Sequence, residues 1–257
     1  MERNALKSRN WGDSTAKSGE KTQPQGRGLS GSVLKVIAVI SMLIDHTSGH
    51  VLSKYKWIYA PLIEFQGHKL TWMYILRSFV GRLAFPIFCF LLVEGFIHTR
   101  SRIKYAGNLA AFAFFSEIPW NLLHGGAALN YKSQNVFFTL LFGLLGIWAL
   151  DHFKEKEQIK GVLITVGLLM VASYAHADYG VKGYGLILAI YGLRNSKLLM
   201  GLVGSALTSW RAGIAFIPIS LYNGERGFIR GKILKYAFYA IYPVHMLILY
   251  LIKRGGI

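Results

Sequence analysis

The sequence predicts an all-α polytopic membrane protein, a bundle of about nine transmembrane or re-entrant helices. Hydrophobic residues make up 53% of the chain and charged residues only 16%, whereas soluble domains carry about 25% charged residues. Several apolar runs approach the roughly 20 residues that cross a bilayer as a helix. Lys and Arg fall mostly in the short gaps between these runs, as the positive-inside rule expects of cytoplasmic loops.

The distribution of charge argues against a nucleic-acid-binding protein. The formal net charge is +17, from 29 basic and 12 acidic residues. The cations are spread over the ends of apolar segments and do not form one basic face, so no nucleic-acid partner is predicted. The single cysteine, Cys89, lies in an apolar run. An internal disulfide is therefore impossible, and a small packed side chain is expected there.

Two regions of different composition divide the chain. Residues 1–31 are polar, basic and without an apolar core, which predicts a disordered cytoplasmic tail rather than a signal peptide. Its cations are expected either to be solvated or to touch anionic lipid headgroups. Residues 32–257 form the predicted transmembrane domain, in contact with the lipid bilayer.

Nine apolar segments are the candidate spans. They are Ser32–Leu52, Tyr74–Ile97, Tyr105–Leu123, Asn135–Leu150, Gly161–Tyr174, Val181–Leu193, Lys197–Thr208, Ala212–Tyr222 and Leu234–Ile252. The sixth to eighth are short for full spans, so they are expected to be tilted, re-entrant or packed inside the bundle.

Basic and less basic connections alternate along the chain, which predicts a cytoplasmic N-terminus and an outward-facing C-terminus. With this topology, polar residues gather toward the outer ends of several spans and predict an outward-facing polar cavity. The members of this set are Asp45, His46, His50, Glu117, Trp120, Asn121, His124, Gln134, Asn135, His176, Asp178, Trp210 and Arg211.

The first span carries the strongest polar signal, Asp45, His46 and His50. Ionisable groups inside a membrane cost about 2.5–3.5 kcal/mol each on insertion scales, and they usually face a cavity or one another. His46 and His50 share a helix face. Three interpretations remain open: a metal site, an interhelical hydrogen-bonded pair, or a histidine polarised by a carboxylate for general-base work. No metal-binding spacing supports the first, so no metal is predicted.

Further ionisable residues lie inside the second, third and last spans. Arg82 must find an anion there, and Asp45, Glu94 or a substrate phosphate are the candidates. Glu117 either assists a base or caps a partner helix. His245 is either a satisfied core residue or part of a site.

Five segments in order resemble one family. They are LK…MLIDH ending at Asp45 and His46, GRLAFPIFCF at 81–90, QNVFF at 134–138, DYGVKGYGLI at 178–187 and FYAIYPVHMLIL at 238–249. Together they resemble the TraX family of integral-membrane N-acetyltransferases, named for the enzyme that acetylates the N-terminus of conjugative pilin. The family's motif positions fall on Asp45, His46, Arg82, Asn135, Tyr179, Gly183 and His245.

The resemblance implies acetyl transfer from acetyl-CoA, as co-substrate, to an amine at the outer membrane face. His46, tuned by Asp45, is then the base. Asn135 or Arg82 stabilises the oxyanion, and His245 is a second base or a transient acetyl carrier. The acceptor is a peptide or pilin N-terminus or a similar amine. The thioester is expected to reach mid-membrane through a channel between helices.

Two sets of residues complete the predicted site. Substrate-binding candidates are His50, Glu117, Asn121, Asp178, Tyr179 and Tyr184. Candidates for the CoA phosphates on the inner loops are Arg100, Arg102, Lys104, Arg226 and Arg230, although the positive-inside rule explains them equally well.

Two other functions remain open at this point. A proton-coupled secondary transporter would use the buried Asp, His, Arg and Glu residues as a proton relay, although no internal repeat is evident. An assembly subunit would use them as contacts between helices. The resemblance further implies the bacterial inner membrane, and a homo-oligomer is compatible with it.

Overall fold

A computed structural model describes residues 28–65, 68–129 and 132–255, and the predicted tail lies almost wholly outside them. Eleven α-helices are seen in this part of the chain. They are α1 Gly31–His50, α2 Trp72–Ile75, α3 Ala84–His98, α4 Arg102–Gly125, α5 Val136–Phe153, α6 Gln158–Tyr174, α7 Gly180–Gly192, α8 Lys197–Leu207, α9 Trp210–Gly213, α10 Phe216–Ser220 and α11 Gly231–Arg254.

The predicted helical membrane fold is confirmed. Four helical segments are long and apolar enough to cross a membrane: Gly31–Lys54, Trp72–His98, Val136–Phe153 and Gly231–Arg254. Every one of the nine predicted spans contains helix, and the eighth holds two short helices, α9 and α10.

The connection after α1 forms a small antiparallel hairpin that the sequence analysis did not predict. Strands β1 (Pro61–Phe65) and β2 (His68–Thr71) pair with Ile63 opposite Leu70 and Glu64 opposite Lys69. Every residue of β1 is exposed. Two-stranded hairpins are marginal on their own, so this one is an appendage of the helical bundle rather than part of its core.

The second predicted span is a continuous α-helix only in its second half. Between α2 and α3 lie a π-helical turn at Leu76–Val80 and a 3₁₀ turn at Gly81–Leu83. Pro86 contributes to the break because it has no N–H to donate to the carbonyl one turn earlier. The irregular turns bring the backbone against α1, where the Ser41 hydroxyl donates to the Val80 carbonyl at 2.6 Å.

Hydrogen bonds join the basic loops at one end of the bundle. The Leu29 amide donates to the Leu221 carbonyl at 2.8 Å. The Ser32 hydroxyl donates to the Arg226 carbonyl at 2.8 Å and accepts from the Ile229 amide at 2.7 Å. The start of α1 is therefore fastened to the loop that precedes α11.

The same end carries a charged clamp around Asp151, at the end of α5. Arg102, at the start of α4, donates to Asp151 at 2.5 Å, and the Tyr191 hydroxyl of α7 donates to it at 2.8 Å. Because Arg102 and Asp151 belong to two basic loops that the charge pattern placed on one side, this contact agrees with the predicted alternation of the spans.

Contacts at the opposite end join the less basic segments. The Gln134 amide donates to the His176 carbonyl at 2.9 Å. Arg211 donates to the Tyr74 hydroxyl at 2.7 Å, and Lys253 donates to the Leu123 carbonyl at 3.2 Å. The bundle therefore has a strongly basic end and a second end where the polar residues of the motifs collect.

Candidate functional site

A cavity of about 760 Å³ runs between α1, α3, α4, α5 and α11. Five cations lie at its basic end: Lys35, Arg100, Lys104, Arg226 and Lys235. Five polar or ionisable side chains lie at its other end: Asp45, His46, Asp178, Tyr179 and Tyr242. The walls between them are largely apolar and include Phe85, Phe88, Leu91 and Leu140. Lys35 and His46 are eleven residues apart on α1, or ~16 Å along the helix axis.

A histidine pair is the centre of the polar end. His46 Nδ1 lies 2.7 Å from His245 Nε2. The two rings are parallel within 1° and their centroids are 5.0 Å apart. This is the geometry of a hydrogen bond in the plane of both rings rather than of face-to-face stacking. The structure thus joins two motif residues that are 199 positions apart in the chain.

Asp45 lies in the same cavity but contacts a different residue. Its Oδ1 is 3.6 Å from Arg77 Nε, and a Cβ added to Gly81 would lie 2.5 Å from that oxygen. Adjacent helical residues point about 100° apart, so Asp45 does not contact the His46 ring directly. His245 occupies the place beside His46 that the sequence analysis gave to Asp45.

Asp178 and Tyr179 reach the cavity from the short connection between α6 and α7. The Tyr179 ring stacks on Phe85, with centroids 3.5 Å apart and planes within 5°. The protein around Asp178 desolvates its carboxyl and raises its pKa to about 6. The Asp45 carboxylate adds to this pKa shift, and Arg82 opposes it. Both side chains keep accessible surface because they open into the cavity.

Tyr242 is a site residue that the sequence analysis missed. It lies one turn before His245 and is 5% exposed. Its ring meets His46 and His245 edge-on, with centroids 6.3 and 5.6 Å away. Among the described residues its O–H hydrogen has no acceptor. The sequence pattern that could have identified Tyr242 is its i, i+3 spacing from His245, which places both residues on one face of α11.

Asn135 is placed as a helix cap. Its Oδ1 accepts from the Phe137 amide at 3.1 Å at the start of α5. Its side-chain amide donates to the Ala113 carbonyl at 2.8 Å and to Glu117 Oε2 at 2.6 Å. Both amide hydrogens are therefore used, and Asn135 does not line the cavity. Of the alternatives for Glu117, this contact favours capping the partner helix.

Three other predicted substrate-binding residues also lie off the cavity wall. Asn121 donates to the Ala128 carbonyl at 3.3 Å. The Tyr184 hydroxyl donates to the Thr165 carbonyl at 2.8 Å within the buried core. The His50 ring meets His124 edge-on at 4.9 Å. In the part of the chain that the structure describes, no three His, Cys, Asp or Glu side chains form a metal-binding group.

Arg82 is exposed and does not line the cavity, although its charge acts on Asp178. Among the described residues, no ion pair joins Arg82 to either predicted carboxylate. Asp45 faces Arg77, and Glu94 lies 3.5 Å from His98 one turn further along α3.

The five predicted phosphate-binding residues divide into two groups. Arg100, Lys104 and Arg226 line the basic end of the cavity. Arg102 is held by Asp151, and Arg230 donates to the Gly227 carbonyl at 2.9 Å. Two further lysines of the cavity, Lys35 and Lys235, were missed. Lys35 could have been predicted, because it is the fourth residue of an otherwise apolar span.

Long apolar helices around a cavity with a buried histidine pair define a polytopic helical membrane protein with an internal polar site. The chain belongs to the TraX family, whose model, described as TraX protein, matches residues 30–253. It is also similar to a probable fimbrial assembly protein FimC, serogroup H1, of Dichelobacter nodosus. The two are 31% identical over 248 residues, covering 84% of this chain and 92% of that protein. No solved structure matches the chain. The matched region contains every residue named at the cavity.

Replacing Asn135 by Ala is expected to destabilise the protein by about 2–3 kcal/mol, since the α5 cap is lost and buried partners are left unsatisfied. Thermal unfolding in detergent measures the effect. Ser196→Ala, which removes a cap with a single 3.4 Å contact at the more exposed start of α8, is the matched control. Unchanged melting of Asn135→Ala together with lost activity would contradict the structural assignment.

Proposed function

We propose that this chain is an acetyltransferase that moves an acetyl group from cytoplasmic acetyl-CoA to an amine at the outer face of the membrane. The observation that carries the proposal is the continuous cavity. It joins a cationic end, near the loops predicted to be cytoplasmic, to His46 at the opposite end, where this residue is hydrogen-bonded to His245. The proposed location is the bacterial inner membrane with a cytoplasmic N-terminus.

The cavity suits acetyl-CoA in charge and length. Arg100, Lys104 and Arg226 supply cations for the nucleotide phosphates, and cationic side chains form strong hydrogen bonds with phosphate. The walls beyond are apolar and suit the pantetheine arm. The ~16 Å between Lys35 and His46 is a distance that an extended arm can span, so the thioester would lie beside the histidine pair.

The polar end supplies the groups that aminolysis of a thioester needs. An α-amine has a pKa near 7.7–8.0, so one proton must leave before it becomes a nucleophile. The carboxylates of Asp45 and Asp178 attract the ammonium form, and His46 removes its proton. The nitrogen then attacks the thioester carbonyl. A new C–N bond forms and the C–S bond breaks. The nitrogen loses its second proton as the tetrahedral intermediate collapses, and this proton leaves with CoA as the thiol. The first proton, held on His46, is released to water at the outer end of the cavity.

Tyr242 is the proposed donor to the oxyanion of this reaction. Tyr242 lines the cavity beside His46, and its buried O–H has no acceptor among the described residues, which leaves this hydrogen available to the carbonyl oxygen on which charge develops. Oxyanion donors that are fixed before the reaction stabilise its transition state. The sequence predicted Asn135 or Arg82 as this donor. The side-chain amide of Asn135 already donates to Ala113 and Glu117, and Arg82 does not line the cavity.

The acceptor proposed for this chain is the N-terminal amine of a fimbrial or pilin subunit. This follows from the name of the similar Dichelobacter protein, a probable fimbrial assembly protein, and from the family to which the chain belongs. The cavity's polar end lies at the outer end of α1 in the proposed orientation, where such a subunit would present its N-terminus.

His46→Ala is expected to abolish the slow release of CoA from acetyl-CoA by detergent-purified protein, since the base that activates water or amine is gone. A thiol assay measures the release, and thermal unfolding shows that the variant is folded. His152→Ala, at the far end of α5, should keep the wild-type rate. Failure of well-folded wild type to bind acetyl-CoA would contradict the proposal and favour the proton-coupled transporter.

Replacing Lys104 and Arg226 together by Gln is expected to raise KM for acetyl-CoA about tenfold or more, since two charge-assisted contacts are lost. KM for acetyl-pantetheine, which has no nucleotide phosphates, should stay unchanged. Lys232→Gln, an exposed change at the start of α11, is the matched control. Equal increases for both thioesters would place the phosphates elsewhere.

Tyr242→Phe is expected to lower kcat about 100-fold or more, because removing one oxyanion donor costs 10²–10³ in kcat. KM for acetyl-CoA should change little, since the hydroxyl acts on charge that develops in the transition state. Steady-state kinetics with a synthetic peptide amine measures both. Tyr250→Phe, on the same helix, is the control. A raised KM with unchanged kcat would assign Tyr242 to ground-state binding instead.

A further inference from the structure

We propose that His245 is a positioning residue that fixes the tautomer of His46, and that it is not a carrier of the acetyl group. The inference deepens the proposed function and rests on it for its kinetic consequences. Its structural content, the protonation pattern of two rings, holds independently of any reaction.

The argument starts at the backbone of α11. His245 Nδ1 lies 2.7 Å from the Ile241 carbonyl oxygen. A carbonyl oxygen only accepts hydrogen bonds, so Nδ1 of His245 must carry a hydrogen. In a neutral imidazole the other nitrogen is then an acceptor, which makes Nε2 of His245 the bearer of the lone pair.

The hydrogen bond between the two rings then determines the tautomer of His46. Nε2 of His245 faces Nδ1 of His46 at 2.7 Å in the plane of both rings. Since His245 accepts there, Nδ1 of His46 carries the hydrogen. The lone pair of neutral His46 is consequently on Nε2, for which no protein partner is seen among the described residues, in a ring that lines the cavity. The Ile241 carbonyl thus determines which nitrogen of His46 serves as the base.

The geometry leaves His245 poorly placed to carry an acetyl group. Both of its ring nitrogens are engaged, one with Ile241 and the other with His46. His245 is 7% exposed and is not among the residues that line the cavity, whereas His46 is. An acyl carrier needs a free nitrogen that meets the thioester, and only His46 meets that requirement in this pair.

The orienting role resembles, in physical terms, that of the carboxylate in a Ser-His-Asp triad, where the buried acceptor holds the imidazole in its productive tautomer. Here a neutral imidazole anchored to a backbone carbonyl replaces the carboxylate. A neutral acceptor avoids placing an additional buried charge in the membrane, which is costly.

The direct test is the ring ¹⁵N NMR spectrum of His46 in ¹⁵N-histidine-labelled protein reconstituted in nanodiscs, assigned by the signals lost in His46→Gln. The expected spectrum shows His46 protonated at Nδ1 and unprotonated at Nε2. A His46 that is protonated at Nε2 would overturn the inference whether or not the protein transfers acetyl groups.

Kinetics supply the second test, through a pair of variants at one position. His245→Gln can still accept from His46 Nδ1 through its side-chain oxygen, but it offers no imidazole nitrogen to acetylate. His245→Leu can do neither. We expect kcat within tenfold of wild type for Gln and a loss of about 100-fold or more for Leu, with KM for acetyl-CoA changed little. His152→Gln is the matched control.

The opposite results identify the carrier mechanism. Equal loss of kcat in folded Gln and Leu variants, or an acetyl group on His245 found by mass spectrometry after incubation with acetyl-CoA alone, would overturn the inference. The two proposals remain separable. Wild type that shows the expected tautomer but never transfers an acetyl group would contradict the enzyme function alone.

Discussion

The constraint on which the rest of this structure depends is that polar groups in a membrane must find partners in the protein or face a cavity. The molecule meets it in both ways. His245 is hydrogen-bonded to the Ile241 carbonyl and to the His46 ring. The Asn135 side chain is hydrogen-bonded to α5 and to α4. Tyr242, whose O–H has no acceptor among the described residues, and Asp178 both line the cavity. Asn135 and His245, whose hydrogen bonds are satisfied, therefore lie outside the cavity lining, and Asp178 and Tyr242 lie on it.

Close contact between α1 and the irregular turns before α3 shapes this cavity. Gly81 has no side chain, so Asp45 can lie directly on its backbone. The hydroxyl of Ser41 ties the same turns to α1. A regular helix through this region would place side chains where α1 now lies. The π-helical and 3₁₀ turns thus explain how two polar residues of α1 reach one cavity with α11, and such turns are often found at functional sites.

Separation of charge between the two ends gives the cavity its direction. The cations at one end lie on helix ends and on the loops between them. Hydrogen bonds join these segments, as from the Ser32 hydroxyl to the Arg226 carbonyl. Asp45, His46 and Asp178 lie at the other end. The Glu94 carboxylate also lines the cavity, near the basic end, where it lies beside His98. An anionic ligand with a long neutral arm fits this polarity, and a small cationic acceptor fits the far end.

The sequence by itself determined the helices, their alternation and the motif residues, because these depend on local apolar length, loop charge and short patterns. His46, His245 and Asp178 were predicted from such patterns, and Tyr179 from the resemblance to the family. Only the tertiary structure determined which side chains contact one another. His245 rather than Asp45 holds His46, and Arg77 rather than Arg82 faces Asp45. Such choices depend on the rotation of each helix about its axis and on the irregular turns near Gly81, which no residue pattern encodes locally.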